Sequence, residues 1–166
     1  MSRRPTRREY KPPIDMFTIM KYCALFTVFA LVIFGVNKIV LTAIDMSPTQ
    51  QVGNGMLTLY EVHNTGAAFN LFAGQSEMII TASFLAVAAM AFIIIMFSSK
   101  ITHTAVSAMA LLSAGITMNM IDRINHGYVI DYIHCNFMQS FPVFNTADIM
   151  IVFGALGLIL ALFSRD

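Results

Sequence analysis

Charge is what this chain has least of. Its 166 residues include 10 Lys or Arg and 9 Asp or Glu, 11% in all, while 57% are hydrophobic. A soluble domain carries about 25% charged residues, so a surface of this size would hold too few ions to keep it in water. The net charge of +1 says nothing about nucleic acid, and no nucleic-acid partner is expected. Trp is absent, which leaves interfacial anchoring to Tyr and basic residues. There are only two cysteines, Cys23 in an apolar run and Cys135 in a polar loop. The topology argued below sets them near opposite faces of a membrane, too far apart for a disulfide. Their spacing matches no metal site, so both read as unpaired apolar fillers.

What the chain has in abundance is long apolar runs, and lipid is the solvent they suit. After a basic stretch with Arg3, Arg4, Arg7, Arg8 and Lys11, Pro12 and Pro13 break any helix before the first run, Met16 to Ala43. That run exceeds a secretory core of about 7–15 residues and reads as a retained helix. Ile44 to Glu77 is more polar, with Gly53-Asn54-Gly55 as a turn signal. Within it, Met56 to Val62 alternates like a short strand. Met78 to Phe97 carries no charge, Thr104 to Ile121 turns polar at its end, and Ile149 to Phe163 is apolar again. Since a spanning helix needs about 20 apolar residues, the expectation is one membrane domain over 1–166. It comprises a basic cytoplasmic arm at 1–15 and spans at about 16–43, 78–97, 103–122 and 144–163.

Four spans put both termini on one side. The arm, Lys21, Lys100 and Arg165 fall on that side, while the opposite loops hold Asp45, Glu61, Glu77, Asp122 and Asp131 with Arg123 as their one fixed cation. The positive-inside rule makes the termini cytoplasmic.

Helix arithmetic then sets the depth of the polar residues. If Phe163 marks the cytoplasmic edge of a core about 30 Å thick, Asp148 lies inside the opposite edge by about 6 Å. Counting about 20 residues from Thr102 brings Asn119 and Asp122 to the same level. Ionisable groups at such a depth are rare and usually face a cavity or a partner. Asp131, set among Tyr128, Val129, Ile130, Tyr132 and Ile133, is expected to lie against the membrane or the bundle. Two carboxylates in a low-dielectric site hold one proton between them, the equipment of an aspartic protease. Plainer roles stand beside this one. Asp148 can cap the fourth helix, Asp122 and Arg123 can form an interfacial ion pair, and Lys38 can snorkel to the outer interface. His63, His126 and His134 lack metal-ligand spacing, and no metal site is expected. Met and Phe read as packing or lipid-facing residues.

Four segments resemble those of the lipoprotein signal peptidases (signal peptidase II): Val62-His63-Asn64-Thr65-Gly66-Ala67-Ala68-Phe69, Asn119-Met120-Ile121-Asp122-Arg123, Gly127-Tyr128-Val129-Ile130-Asp131-Tyr132-Ile133, and Phe144-Asn145-Thr146-Ala147-Asp148. The resemblance implies an all-α membrane protein of four transmembrane helices, with a small periplasmic β-cradle and a short periplasmic helix. It implies an aspartyl endopeptidase of the bacterial inner membrane, with its site at the periplasmic face. The substrate implied is a diacylglyceryl-modified prolipoprotein, cut just before the lipidated cysteine. The catalytic pair it implies is Asp131 and Asp148, with Asn64, Gly66, Asn119, Asp122, Arg123, Asn145 and Lys38 binding or orienting. It implies no cofactor, a monomer in contact with membrane lipids, and cyclic peptide inhibitors of the kind the family binds. The sequence departs from the family where Phe34 and Gly35 replace an Asp and a Gln, and where Met118 replaces a Gly. Those departures leave room for a catalytically altered paralogue that binds lipopeptides or signal helices without cleaving them. A small transporter or proton channel using the same carboxylates is disfavoured by the lack of an inverted repeat.

Overall fold

The computed structural model describes residues 14–67, 71–138 and 140–163. Most of the basic arm, Ala68 and Phe69 of the first motif, and the last three residues lie outside them. The elements in order are α1 (Met16–Met46), β1 (Gln50–Val52), β2 (Leu57–Asn64), α2 (Ser76–Phe97), α3 (His103–His126), β3 (Val129–Cys135) and α4 (Thr146–Ala161).

Three of the four helices, α1, α3 and α4, start where a side chain takes a free N–H group of the first turn. Asp15 caps α1 by accepting from Phe17 N, and its own N–H donates to Ser98 Oγ at 2.8 Å, which joins the start of α1 to the end of α2. Thr102 caps α3 through Ala105 N. That helix ends at Gly127, whose φ of 84° is the left-handed conformation glycine adopts without penalty. The reversal sends the chain directly into β3. Ser76 Oγ donates to Gly127 O at 2.6 Å, so α2 begins where α3 ends.

The packing is that of a protein in lipid. Phe17, Leu31, Phe34, Phe84, Leu85, Phe92, Phe153 and Leu160 are each more than half exposed, an outer surface that water would not tolerate but acyl chains would. α3 is the central helix and packs on α1, α2 and α4. Val106, Met109 and Ala110 of α3 meet Tyr22 of α1 and Met90 and Ile94 of α2. Tyr22 Oη donates to Ser113 Oγ at 2.9 Å, a polar tie inside that apolar cluster. A second cluster joins Ile33, Ala114 and Ala147. The contact of α3 with α4 is the closest of all: a Cβ built on Gly115 would lie 2.6 Å from Ala147 O, and one on Gly154 would lie 2.7 Å from Leu112 N. Small residues let two backbones approach in this way.

At the Gly127 end the three strands form an antiparallel sheet in the order β1-β2-β3. β2 realises the expected strand, and the turn before it closes with Met56 N donating to Gly53 O. β1 was not anticipated.

Three helices are long and apolar enough to cross a membrane, and α4 is a shorter apolar helix of 16 residues. The fourth run was expected to turn helical near Phe144. Phe144 instead bridges Ile133 of β3, and the helix begins after the Asn145 cap. The expected short periplasmic helix is not found: among the described residues every helix is one of α1 to α4. The segment before α2 turns through left-handed Phe72 and Gly74, and the segment before α4 is occupied by turns and the Phe144 bridge.

Candidate active site

The N-terminus of α4 sits against the polar end of α3 and the free edge of β3, and this junction gathers most of the residues singled out from sequence. Asn145 is fully buried and is the N-cap of α4. Its Oδ1 accepts from Asp148 N at 3.0 Å, and its own N–H donates to Asp148 Oδ2 at 3.0 Å, a reciprocal capping box. Its Nδ2 donates to Asp131 Oδ1 at 2.9 Å and to Asn119 Oδ1 at 3.0 Å. Asn119 Nδ2 donates in turn to Asp148 Oδ1 at 2.8 Å. One amide side chain therefore touches Asp131 directly while fixing the backbone and carboxylate of Asp148.

Asp131 is placed by the sheet. Its register partner is Val62, and Asn64 lies two residues further along the same face of β2. From there Asn64 Nδ2 donates to Asp131 Oδ2 at 2.9 Å. A register shift between Leu59 and Val62 marks a bulge just before this stretch, a feature that re-aims strand side chains. Asn64 Oδ1 accepts from Gly66 N at 3.0 Å, and Gly66 O accepts from Arg123 Nη2 at 2.5 Å. Arg123 Nη1 donates to Asn119 O at 3.1 Å. The buried guanidinium thus ties the β2 loop to α3. It forms no ion pair, since the one pair within 4.0 Å among the described residues is His63 with Glu61.

Asp131 is 2% exposed. Burial pushes its carboxyl from the ordinary 3.8 up to about 7, and the charge of Asp148 adds to the rise. Hydrogen bonds from Asn64 and Asn145 and the charge of Arg123 pull the other way without cancelling it. A carboxyl in this state can hold or release a proton near neutral pH.

Asn64, Gly66, Asn119, Arg123, Asp131, Asn145 and Asp148 therefore form one connected network. Asp122 stands at its margin and takes a backbone hydrogen bond from Ile130. The ion pair considered for Asp122 and Arg123 is not formed, because neighbouring residues on a helix face different directions. Lys38 is exposed on α1 and makes none of the network's hydrogen bonds. Phe34 is 53% exposed, and Gly35 has no atom within 4 Å of where a Cβ would stand; neither reaches the junction. Sequence reading missed Asn37, Tyr132 and Thr146, whose side chains meet beside it. The one available signal was an Asn inside the first apolar run.

Fold and site together define a multi-pass membrane protein with two aspartates, Asp131 buried and Asp148 half-buried, at one end of its bundle. A family model described as Signal peptidase (SPase) II matches residues 25–164. A lipoprotein signal peptidase of Dehalococcoides mccartyi is 36% identical over 128 residues, covering 75% of this chain and 78% of its own length. That of Lactiplantibacillus plantarum is 27% identical over 131 residues, covering 79% and 86%. A bacterial membrane enzyme solved in meso at 2.3 Å superposes with a TM-score of 0.77 at 24% identity, covering 93% of each chain. The chain belongs to the signal peptidase II family.

Proposed function

We propose that this protein is an intramembrane aspartyl endopeptidase that removes signal peptides from diacylglyceryl-modified prolipoproteins during bacterial lipoprotein maturation. The observation that carries the reading is the Asn145 bridge, which holds Asp131 and the first turn bearing Asp148 to a single amide. The relatives named lipoprotein signal peptidase supply the substrate class. All four helices span the membrane in this reading, with the termini cytoplasmic and the site at the outer face of the inner membrane. The signal helix enters laterally, its acyl chains remain in lipid, and Asn64 and Gly66 border the scissile segment.

The chemistry follows from one proton shared by two carboxyls. The ionised member takes a proton from a water molecule while the water oxygen attacks the scissile carbonyl. The protonated member hydrogen-bonds the carbonyl oxygen as charge develops there. Collapse of the tetrahedral intermediate breaks the C–N bond, and a proton passes to the departing amine. The titration belongs to the pair, and this route calls for no metal or organic cofactor.

Mass spectrometry of a diacylated prolipoprotein incubated with the purified protein tests the reading. A product cut before the lipidated cysteine is expected from the parent and none from Asp131→Asn or Asp148→Asn. Cleavage by a folded Asp148→Asn protein rejects the assignment. Phe34 and Gly35, standing where the resemblance implies an Asp and a Gln, favour a second reading, a paralogue that binds lipopeptides without cutting them. It predicts saturable binding by the parent and no product.

A further inference from the structure

Beside the carboxylate network lies a second polar junction that the mechanism above does not use. Tyr132 follows Asp131 on β3, so its side chain leaves the opposite face of the strand. It is 0% exposed and among the largest fully buried side chains. Its Oη lies 2.6 Å from Asn37 Oδ1 on α1 and 2.5 Å from Thr146 Oγ1, and it accepts from Thr146 N at 3.2 Å.

The donors admit one consistent direction. A carbonyl oxygen such as Asn37 Oδ1 can only accept, so the phenol hydrogen goes there. The Thr146 hydroxyl must then donate to Tyr132 Oη, which also takes the Thr146 N–H. The phenol therefore donates once and accepts twice. Burial raises its pKa above the ordinary 10.0, which keeps the hydrogen in place at neutral pH.

Thr146 is the first residue of α4, and its N–H is one of the four that a helix leaves free at its start. Asn145 satisfies the N–H of Asp148, and Tyr132 satisfies that of Thr146. The residue next to one aspartate thus caps the helix that carries the other. The Tyr132 backbone grips the same segment, its N–H donating to Phe144 O at 3.0 Å.

We propose that Tyr132 is a positioning residue whose hydroxyl, seated between Asn37 and Thr146, locks the strand of Asp131 to the first turn of α4 and so sets the spacing of the two carboxylates. This rests on the peptidase reading for its effect on rate, though not for its effect on geometry. Removing the hydroxyl leaves Thr146 N–H, Thr146 Oγ1 and Asn37 Oδ1 without their shared partner in a low-dielectric interior, and the junction relaxes to find others.

The test uses the full-length purified protein in lipid with Tyr132→Phe, Thr146→Val and Thr146→Ser. Cleavage of the diacylated prolipoprotein is measured alongside thermal stability. Infrared titration of the protonated carboxyls is assigned by difference against Asp131→Asn and Asp148→Asn. In Tyr132→Phe the expected result is a kcat lower by ~10²-fold, a loss that a misplacement of about 1 Å can cause, with KM little changed and a displaced carboxyl titration. Thr146→Val is expected to share the defect and Thr146→Ser to recover most of the rate.

Parental kcat and titration in a folded Tyr132→Phe protein overturn the proposal, because the backbone bonds of Tyr132 and Ile133 to Phe144 and the Asn145 bridge would then suffice without the hydroxyl. Should Tyr132→Phe fail to fold, the contrast between Thr146→Val and Thr146→Ser decides, and equal rates in those two overturn it. Should the parent itself not cleave, the peptidase reading falls by that result. The carboxyl titration of the same variants then decides the positioning role, and an unshifted curve overturns it.

Discussion

Asn145 is asked to do two things that other side chains do separately. As an N-cap it satisfies a free N–H of α4, and as a bridge it donates across to Asp131. The two roles come apart in mutants. Asn145→Ser keeps a good cap but is too short to reach Asp131, so it is expected to melt near the parent and lose cleavage. Asn145→Ala loses both and is expected to be destabilised by about 1 kcal/mol as well. Paired thermal melts and cleavage rates separate the two. Asp131 makes a prediction of its own. Below its ordinary 3.8 it is protonated whether folded or unfolded. Between 3.8 and about 7 the folded protein holds a proton that the unfolded chain has released. Stability is therefore lost as pH rises through that window and levels off above it. Asp148 and Arg123 face the same carboxyl, so the step belongs to the pair with its cation. Asp131→Asn lacks the step, and its melting temperature relative to the parent is expected to rise from pH 4 to pH 8. Cleavage by the parent is expected to fall above about 7 as the shared proton is lost. A flat difference in melting temperature across that range would contradict the assignment of a buried, proton-holding Asp131. At this scale the acids and amides were legible because a polar residue at membrane depth is conspicuous. Tyr132 and Thr146 were not, since a hydroxyl beside an apolar run carries no such signal until its partners are known. Lys38 was conspicuous for the same reason and faces outward instead.

The elements bring these residues together through close helix contact. Asn119 lies one turn beyond Gly115 on α3, and Gly115 abuts Ala147 O in the turn of α4 that bears Asp148. A side chain at Gly115 would meet backbone and Ile151 rather than a flexible tip, so α4 must move. Gly115→Val is expected to cost about 1–3 kcal/mol as overpacking and to lower cleavage by stretching the Asn119 bond to Asp148. Gly35→Ala is the control: nothing lies near its Cβ, and an alanine in a helix interior is worth roughly 0.5–1 kcal/mol over glycine. Melting curves of the two variants should move in opposite directions. The four helices were legible from apolar run length. β2 showed in its alternation and β1 did not, being three residues with no pattern to read. β3 hid because Val129 and Asp131 on one face are buried, and so is Tyr132, the next residue on the opposite face, which erases the alternation of a half-exposed strand. The close approach of Gly115 and Gly154 was also invisible, since a small residue in an apolar run announces packing only once its neighbour is placed.

Helix lengths decide where in the molecule the site can sit. α1 has 31 residues, about 46 Å at roughly 1.5 Å per residue, and α4 has 16, about 24 Å. A hydrocarbon core about 30 Å thick is exceeded by the first and not filled by the second. With α4 spanning the membrane, as proposed, its shortfall must fall at one of its ends. At the sheet end the chain enters α4 through Phe144 and the Asn145 cap, with its polar groups satisfied by Asn119, Asp131 and Tyr132. Irregular backbone is tolerated at membrane depth when it is buried in protein in this way. At the other end the described residues of α4 and its exit, Leu160, Leu162 and Phe163, are apolar and exposed. In the proposed reading the site is therefore recessed at the sheet end, where an amide bond of a membrane-embedded peptide would meet water from outside. This requires the sheet and the α2–α3 loop to lie on opposite sides. Glu61 is exposed on β2 and Lys100 on the loop. With Cys23 and Cys135 replaced, a cysteine at 61 is expected to react with a membrane-impermeant maleimide in intact spheroplasts. A cysteine at 100 is expected to react only after the membrane is opened. Labelling of both from outside would place the sheet and the loop on one side, and the recessed site would then lose the depth on which its chemistry depends.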